Sequence, residues 1–107
     1  MNNTQQKLVN ILSIACRAGK VMSGEFVIEK ALSGKNNIKL FLIASDVAEA
    51  TREKYHKLVQ KHHKILLRDA FLTKDMLAAS IGKTDRAVVA VCDEGFCKAI
   101  LKILDNE

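Results

Sequence analysis

The sequence predicts an α/β fold, a three-layer α/β/α sandwich, and three observations lead to this prediction. Segments with helical periodicity alternate with short apolar segments of strand length, giving about five helices and about four strands. Residues 40–44 are apolar on both alternations, which is typical of a strand covered by helices on both sides. Proline is absent and the five glycines lie where elements change. Helices that alternate with strands in this way pack on the two faces of one sheet.

Residues 3–22 are predicted to form the first helix and the first strand. Apolar residues recur at helical spacing after a cap at Asn3 or Thr4: Leu8, Ile11, Leu12 and Ala15. Gly19 is well placed to stop this helix, because glycine readily adopts the left-handed backbone that often ends helices. Residues 20–22 then form a short strand.

The middle of the chain is predicted to form two more helices and two more strands. Ser23 caps the second helix, which ends at Gly34 and has an apolar face made of Val27, Ile28, Ala31 and Leu32. The third helix spans residues 47–62 and directs these residues inward: Val47, Thr51, Tyr55, Leu58 and Val59. Strands are expected before it, at residues 40–44, and after it, at residues 65–67.

The C-terminal part is predicted to form two helices and one strand. Thr73 caps a short helix that ends at Gly82, and residues 87–91 form the last strand. Asp93 then caps the final helix, whose apolar residues make a continuous stripe: Phe96, Ala99, Ile100, Ile103 and Leu104.

Length and composition place the chain among single-domain globular proteins. We expect residues 1–107 to form one domain, because the length suits one core and no linker, repeat or low-complexity segment interrupts it. Apolar residues make up 49% and charged residues 27%, and no stretch approaches the roughly 20 apolar residues of a membrane span. The N-terminal residues lack the pattern of a secretion signal. These features predict a soluble cytoplasmic protein.

The net charge and the cysteine content indicate which partners and which redox state to expect. The net charge is +5, and single Lys and Arg residues spread along the chain carry it. A folded basic surface of this kind favours a polyanionic partner. Cys16, Cys92 and Cys97 form neither a CxxC pair nor an even set, so we expect reduced, mostly buried thiols.

One motif suggests a nucleotide site and another suggests a metal site, but neither has the residues and geometry that such a site requires. Residues 82–84, Gly-Lys-Thr, end like a phosphate-binding loop, but Leu77 stands where the first glycine is required. A helix also precedes this motif, whereas a phosphate-binding loop leads into one. His62 and His63 are adjacent on a helix, with His56 nearby, and adjacent side chains point in different directions. We expect no nucleotide hydrolysis and no metal site.

Acid–base catalysis has no visible centre in the sequence. Asp46 and Asp93 follow strands where a helix needs an N-cap, so capping explains both carboxylates. No nucleophile has a visible base partner, and we therefore expect neither an enzyme nor a cofactor. Ser23-Gly24 places a helix start directly after a strand, with Lys20 and Lys30 expected near it. Its unpaired N–H groups suit either an anion or solvent, and the residues alone favour neither interpretation.

Short motifs over nearly the whole chain have the order and spacing of a known family. In the first half they are residues 19–24 (Gly-Lys-Val-Met-Ser-Gly), Lys30, Gly34-Lys35, and residues 39–44 with Asp46. In the second half they are Thr73-Lys74, Leu77, Gly82 and residues 87–91. This set resembles the ribosomal proteins of the L-seven-Ae and L-thirty-e type, and most of all their short bacterial members of YlxQ type.

The resemblance implies a fold and a ligand. The fold is an α/β/α sandwich whose four-stranded sheet is mixed. The ligand is kink-turn RNA, a sharply bent internal loop flanked by sheared G·A pairs, or ribosomal RNA. Such RNA is recognised through its shape and through splayed bases. The implied setting is the ribosome, its assembly or translation, with a monomeric protein and no membrane.

The same resemblance assigns site residues. The second helix would enter the bent groove with Gly24, Glu25, Phe26, Val27 and Lys30. The loop around Leu72, Thr73 and Lys74 would pack against extruded bases, with Phe26 and Leu72 as the apolar contacts. Phosphates would be bound by Lys20, Lys30, Lys74 and Arg86.

Phe26 and Val27 depart from the family pattern. Members that bind kink-turns usually have a polar pair there, Asn-Glu or Lys-Gln, whereas Phe and Val can stack or pack but cannot donate to a base or a phosphate. The alternative function is therefore a protein-interaction module of the same fold that has lost specific RNA readout and presents Phe26 and Val27 to a protein.

Overall fold

A mixed four-stranded sheet lies at the centre of the structure, a computed structural model that describes residues 1–106. Its strands are β1 (Val21–Ser23), β2 (Leu40–Ile43), β3 (Leu66–Asp69) and β4 (Val88–Val91), in the spatial order β1-β4-β2-β3. Strands β2 and β3 are parallel, and β4 is antiparallel to both of its neighbours. The mixed sheet that the resemblance implies is thus confirmed.

Helices cover both faces of this sheet. They are α1 (Asn3–Arg17), α2 (Glu25–Leu32), α3 (Glu49–Lys61), α4 (Lys74–Ser80) and α5 (Glu94–Asp105). Helices α1, α4 and α5 pack on one face, and α2 and α3 on the other. The three-layer sandwich is therefore confirmed. None of the helices within residues 1–106 is long and apolar enough to cross a membrane.

The sheet divides the core into two clusters. Successive side chains of β2 point to opposite faces of the sheet and therefore contribute to both clusters. Leu40 and Leu42 point toward α1, α4 and α5, while Phe41 and Ile43 point toward α2 and α3. All four side chains are buried, in agreement with the prediction of a strand covered on both faces. Each contributes about 1.5–3 kcal/mol relative to an exposed position. Phe41 also meets Tyr55 edge to face, with 5.0 Å between ring centroids.

Three predicted helix starts differ from the structure. Helix α1 is capped by Asn2, whose Oδ1 accepts the Gln5 N–H over 2.8 Å, one residue before the expected caps. Ser23 is the last residue of β1, and the cap of α2 is Gly24. The Asp46 carboxylate accepts the Lys74 N–H over 2.8 Å, so it supports the start of α4 and does not cap α3. The predicted caps Thr73 and Asp93 are confirmed.

The strand directions give the sheet two distinct edges. Strands β1, β2 and β3 run in one direction. We call the side of the sheet where these three strands end the carboxyl edge. Strand β4 runs the opposite way and begins there. The opposite edge, where β1, β2 and β3 begin and β4 ends, is called the amino edge.

All three cysteines are free thiols, but the prediction that they are mostly buried is correct for only one of them. Cys97 is buried, and Cys16 and Cys92 are half-buried. Burial raises the pKa of Cys92 and Cys97, because a thiolate is poorly solvated inside the protein.

Candidate nucleic-acid interface

The carboxyl edge brings together three chain segments that carry most of the predicted site residues. They are the start of α2, the segment that leads into β4, and the loop between β3 and α4. Because neighbouring strands lie about 4.8 Å apart, Ser23 and Asp69 lie about 14 Å apart along this edge. That length suits an extended contact with RNA more than a small-molecule pocket.

Gly24 begins α2 with a backbone that favours glycine. Its φ of 93° lies in the region that L-residues rarely adopt, and no side chain caps the helix there. The first helical hydrogen bond runs from the Ile28 N–H to the Gly24 carbonyl over 3.0 Å. The N–H groups of residues 25–27 therefore have no helical acceptor, and with the helix dipole they favour an anion.

Arg86 lies beside this helix start. Its Nε donates to Ser23 Oγ over 3.1 Å and its Nη1 donates to the Thr84 carbonyl over 2.7 Å. Its Nη2 donates to no protein group within residues 1–106. The guanidinium lines a cleft of about 260 Å³ together with Gly24. This arrangement holds the side chain in place and leaves one nitrogen available to a phosphate.

The exposed face of α2 consists of Phe26, Val27 and Lys30. Phe26 is 76% and Val27 49% exposed, whereas Ile28 is buried against the sheet. Lys30 is exposed in the last turn, four residues after Phe26, so the aromatic ring and the ammonium group share one side of the helix. This side combines an apolar contact with a cation.

Glu25 and Glu29 form a second face of α2 and are paired with α3. Lys54 Nζ donates to both carboxylates. The bond to Glu25, and then the bond to Glu29, raise the pKa of Lys54 above its usual range. The ion pairs thereby offset negative charge next to the helix start, where a phosphate would otherwise be repelled.

The loop between β3 and α4 projects Phe71 into solvent. Phe71 is 52% exposed and has a positive φ of 55°, which is uncommon for an aromatic residue. Two polar contacts hold this conformation: the Phe71 N–H donates to Asp69 Oδ1 over 2.7 Å, and Gln5 Nε2 donates to the Phe71 carbonyl over 2.9 Å. The ring is thus presented on a constrained backbone.

Leu72 corrects the expectation for this loop. Its side chain is fully buried in the cluster under α1, α4 and α5, so it cannot contact a splayed base. Phe71, one residue earlier, has the exposed position instead. Asp69 two residues before Phe71 was the available signal, because an Asp side chain often binds the N–H two residues on and forms a turn.

Thr73 and Lys74 lie at the start of α4. The Thr73 hydroxyl accepts the Met76 N–H over 3.2 Å, so its oxygen serves as the helix cap. Lys74 is half-exposed at the carboxyl edge. Of these two residues, only Lys74 has a positive charge that could bind a phosphate.

Lys20 and Lys30 are not at the start of α2, contrary to expectation. The Lys20 carbonyl accepts the Cys92 N–H over 2.8 Å, which places Lys20 at the amino edge, one strand length from Gly24. Lys30 lies in the last turn of α2, about 9 Å along the helix from Gly24. Arg86 is the cation that the fold brings to the helix start, because antiparallel β1 and β4 place Ser23 near the beginning of β4.

Within residues 1–106, no three His, Cys, Asp or Glu side chains come together in a group that could hold a metal ion. The groups at the carboxyl edge include hydrogen-bond donors, cations and aromatic rings, beside carboxylates of which Glu25, Asp46 and Asp69 already have protein partners. They can bind phosphates and stack on bases, and they offer no nucleophile paired with a base.

Two curated relatives match almost the full length of the chain. The RNA-binding protein YlxQ of Bacillus subtilis (strain 168) is 34% identical over 101 residues, which cover 89% of this chain and 92% of the relative. The RNA-binding protein YlxQ of Enterococcus faecium is 28% identical and covers 95% of each chain. No family model matches the sequence.

Solved structures share the fold. A protein of unknown function from Bacillus halodurans C superposes with a TM-score of 0.81 at 27% identity, covering 92% of this chain and 97% of its own. The Giardia lamblia 15.5 kD RNA binding protein superposes with a TM-score of 0.70 at 12% identity, covering 99% of this chain and 88% of its own. At that identity the second likeness concerns the fold alone.

Proposed function

Because the chain belongs to the YlxQ-type RNA-binding proteins of the ribosomal L-seven-Ae family, we propose that it binds structured RNA, and kink-turn RNA in particular, at its carboxyl edge. Both curated relatives are named for RNA binding and not for a reaction, and the protein is not an enzyme. The proposal concerns which RNA is bound and by which residues.

One observation carries the proposal: phosphate-binding and base-stacking groups share the carboxyl edge. The free N–H groups of residues 25–27 and the Nη2 of Arg86 form one anion site. Phe26 lies on the exposed face of α2 above it, and Phe71 lies on the loop at the other end of the edge. A bent RNA offers both kinds of partner, because its backbone turns sharply and its loop bases leave the stack.

In this proposal RNA shape, and not base identity, decides binding. Phe26 and Val27 have no donor or acceptor for a base edge, so contacts there come from stacking and packing. Phosphates are bound by Arg86, Lys30 and Lys74, and such contacts position RNA without reading its sequence. A kink-turn fits this combination because it is sharply bent and is recognised through its shape and its splayed bases.

The proposed setting follows the family. Residues 1–107 act as one RNA-binding domain, monomeric and cytoplasmic, on ribosomal RNA or another structured RNA during ribosome assembly or translation. The chain matches its curated relatives over nearly their whole length, which supports an autonomous RNA-binding unit.

The test compares two RNAs of equal length at near-physiological salt. One contains a kink-turn and the other is a straight duplex, and affinity is measured by fluorescence anisotropy. We expect tighter binding to the kink-turn, with the preference reduced in Lys30→Ala and Arg86→Gln. Lys102→Ala, which removes an exposed lysine of α5, is the matched control and should keep the preference. Equal weak binding of the unmodified protein to both RNAs would refute kink-turn selectivity.

A second candidate function is a protein-interaction module, and the exposure of Phe26 favours it. A phenylalanine 76% exposed beside a half-exposed valine forms a small apolar patch of the kind used in protein contacts. Phe26→Ala distinguishes the two functions. Loss of RNA affinity in this variant supports stacking on RNA, whereas unchanged RNA affinity removes Phe26 from the RNA interface and leaves the patch to the second function.

A further inference from the structure

Two long segments of the chain contain basic residues but no acidic ones. The chain has no Asp or Glu between Glu29 and Asp46, nor between Glu53 and Asp69, although these two segments contain eight of the 17 Lys and Arg residues. The first segment passes from the end of α2 to β2, and the second from α3 to β3. Both segments make their turns at the amino edge, and four of these eight residues lie in or next to the turns: Lys35, Lys39, Lys61 and Lys64.

A lysine precedes each of the three strands that begin at the amino edge. Lys20 lies directly before β1 and Lys39 directly before β2, while Lys64 lies two residues before β3. Backbone bonds fix the row: the Lys39 N–H donates to the Val91 carbonyl over 2.8 Å, and the Leu66 N–H donates to the Lys39 carbonyl over 3.0 Å. Lys35 and Lys61 add charge in the adjoining loop and helix end, and both are exposed.

A cleft of about 230 Å³ opens between the two turns of this edge. Its polar lining consists of Asn36, Lys39, His62, His63 and Lys64. Asn36 fixes one wall, because its Oδ1 accepts the Ile38 N–H over 3.0 Å and its Nδ2 donates to the Ala31 carbonyl over 3.2 Å. The cleft is therefore a shaped concavity lined by groups that can donate to an anion.

The carboxylates at the amino edge are already engaged. Asp93 Oδ2 accepts the Phe96 N–H over 2.8 Å, and Glu94 pairs with Lys98 over 3.5 Å. The carboxyl edge has more acidic residues: Glu25, Asp46, Asp69, Asp75 and Asp85. Three of these are also engaged, because Glu25 pairs with Lys54, Asp69 pairs with Arg52, and Asp46 accepts the Lys74 N–H. The stronger positive surface thus lies opposite the proposed kink-turn site.

We infer that the amino edge is a second RNA-binding surface, which binds the phosphate backbone of an RNA segment distinct from the one at the carboxyl edge. This inference rests on the proposed function. The molecule measures 35 × 28 × 25 Å, and the two edges lie on opposite ends of the sheet, so the domain bridges two RNA segments. Lysine contacts to phosphates make the second segment independent of sequence.

The test adds two RNAs to one protein. The protein is saturated with unlabelled kink-turn RNA, and a fluorescent straight duplex of about 16 base pairs, roughly the length that spans two minor grooves, is then titrated in. Native electrophoresis detects the ternary complex. The variant is Lys35→Gln/Lys39→Gln/Lys64→Gln. The charge-matched control, Lys7→Gln/Lys83→Gln/Lys102→Gln, removes three exposed lysines that lie away from this cleft. Thermal unfolding verifies that both variants are folded.

The unmodified protein and the control variant should form the ternary complex, and the cleft variant should not. For the duplex alone, the slope of log affinity against log salt should fall by about two to three in the cleft variant, because each lysine–phosphate contact contributes nearly one. Equal loss in both variants, or no ternary complex with the unmodified protein, overturns the inference. If no kink-turn RNA binds, the proposed function fails and the salt slopes on the duplex still decide the role of the amino edge.

Discussion

Arg86 and Ser23 are joined across the β1–β4 pair, with Arg86 Nε donating to Ser23 Oγ over 3.1 Å. A serine that the sequence suggests as a helix cap therefore positions an arginine instead. A second bond, from Arg86 Nη1 to the Thr84 carbonyl, fixes the plane of the guanidinium. The side chain is thereby held beside the start of α2, and less conformational entropy is lost when a phosphate binds.

Arg86→Gln should weaken RNA binding and reduce the salt slope by about one, because one phosphate contact is lost. Ser23→Ala should have a smaller effect in the same direction, since the charge stays but its position is less fixed. Both are measured by anisotropy over a salt series. Lys7→Gln, an exposed lysine of α1 outside both proposed RNA-binding surfaces, controls for net charge. An equal loss in Lys7→Gln would show that Arg86 acts only through overall charge.

Phe71→Ala should lower RNA affinity by about 1–3 kcal/mol, the usual cost of losing one base stacked on an aromatic ring. Phe71→Gly should lower affinity similarly, but its melting temperature should be higher than that of Phe71→Ala. Glycine relieves the positive φ of 55° at this position, while alanine retains the strain. Calorimetry and anisotropy on the same two proteins separate these effects. Unchanged affinity in both variants would remove Phe71 from the interface.

Leu72→Ala, unlike Phe71→Ala, should lower the stability of the protein and leave its RNA affinity nearly unchanged. The fully buried side chain contributes to the core, so its truncation should destabilise the protein by about 2–5 kcal/mol in urea unfolding. RNA affinity measured under conditions where the variant stays folded should change little. A strong loss of affinity with unchanged stability would contradict the assignment of Leu72 to the core.

Lys54→Gln should weaken RNA binding although Lys54 is assigned no RNA contact. The substitution leaves the carboxylates of Glu25 and Glu29 unpaired beside the anion site, where they repel phosphate. The variant Lys54→Gln/Glu25→Gln/Glu29→Gln removes this repulsion and should restore affinity. Failure of this rescue in anisotropy measurements would mean that Lys54 itself binds RNA.

The stabilisation that Lys54 provides should be independent of pH through the neutral range. Its pKa is raised in the folded state by Glu25 and Glu29, so the contribution is complete below the pKa of an unfolded lysine, about 10.4. It is lost only as the pH rises beyond that value toward the higher folded pKa. The difference in unfolding free energy between the unmodified protein and Lys54→Gln should be constant from pH 6 to about 9. A difference that fell within that range would contradict the raised pKa.

The fold could be predicted from the sequence because its main elements have unambiguous local patterns. Strand β2 has four buried apolar residues, and α5 has a continuous apolar stripe behind a true Asp93 cap. Asp46 could not be assigned locally. Its carboxylate binds the start of a helix that begins 28 residues later, and only the packed sheet brings the two together.

The burial and position of individual candidate residues could not be predicted from the sequence in every case. Leu72 and Phe71 are adjacent apolar residues, and the sequence does not show which of them points inward, because that depends on the positive φ at Phe71. Lys20 and Gly24 are near neighbours in the sequence, which predicts that they lie close together. A strand separates them, and β1 carries them to opposite edges of the sheet.

The separation of charge between the two edges has a consequence for the kinetics of association. An excess of lysines at the amino edge would give the molecule an electric dipole with its positive end there. The electric field of a large polyanion would orient such a molecule during diffusion, so that the amino edge makes the first contact. The association rate should therefore fall as salt is added. Once the amino edge is bound to one RNA segment, the carboxyl edge would need to find a sharply bent RNA only within the neighbourhood of that segment.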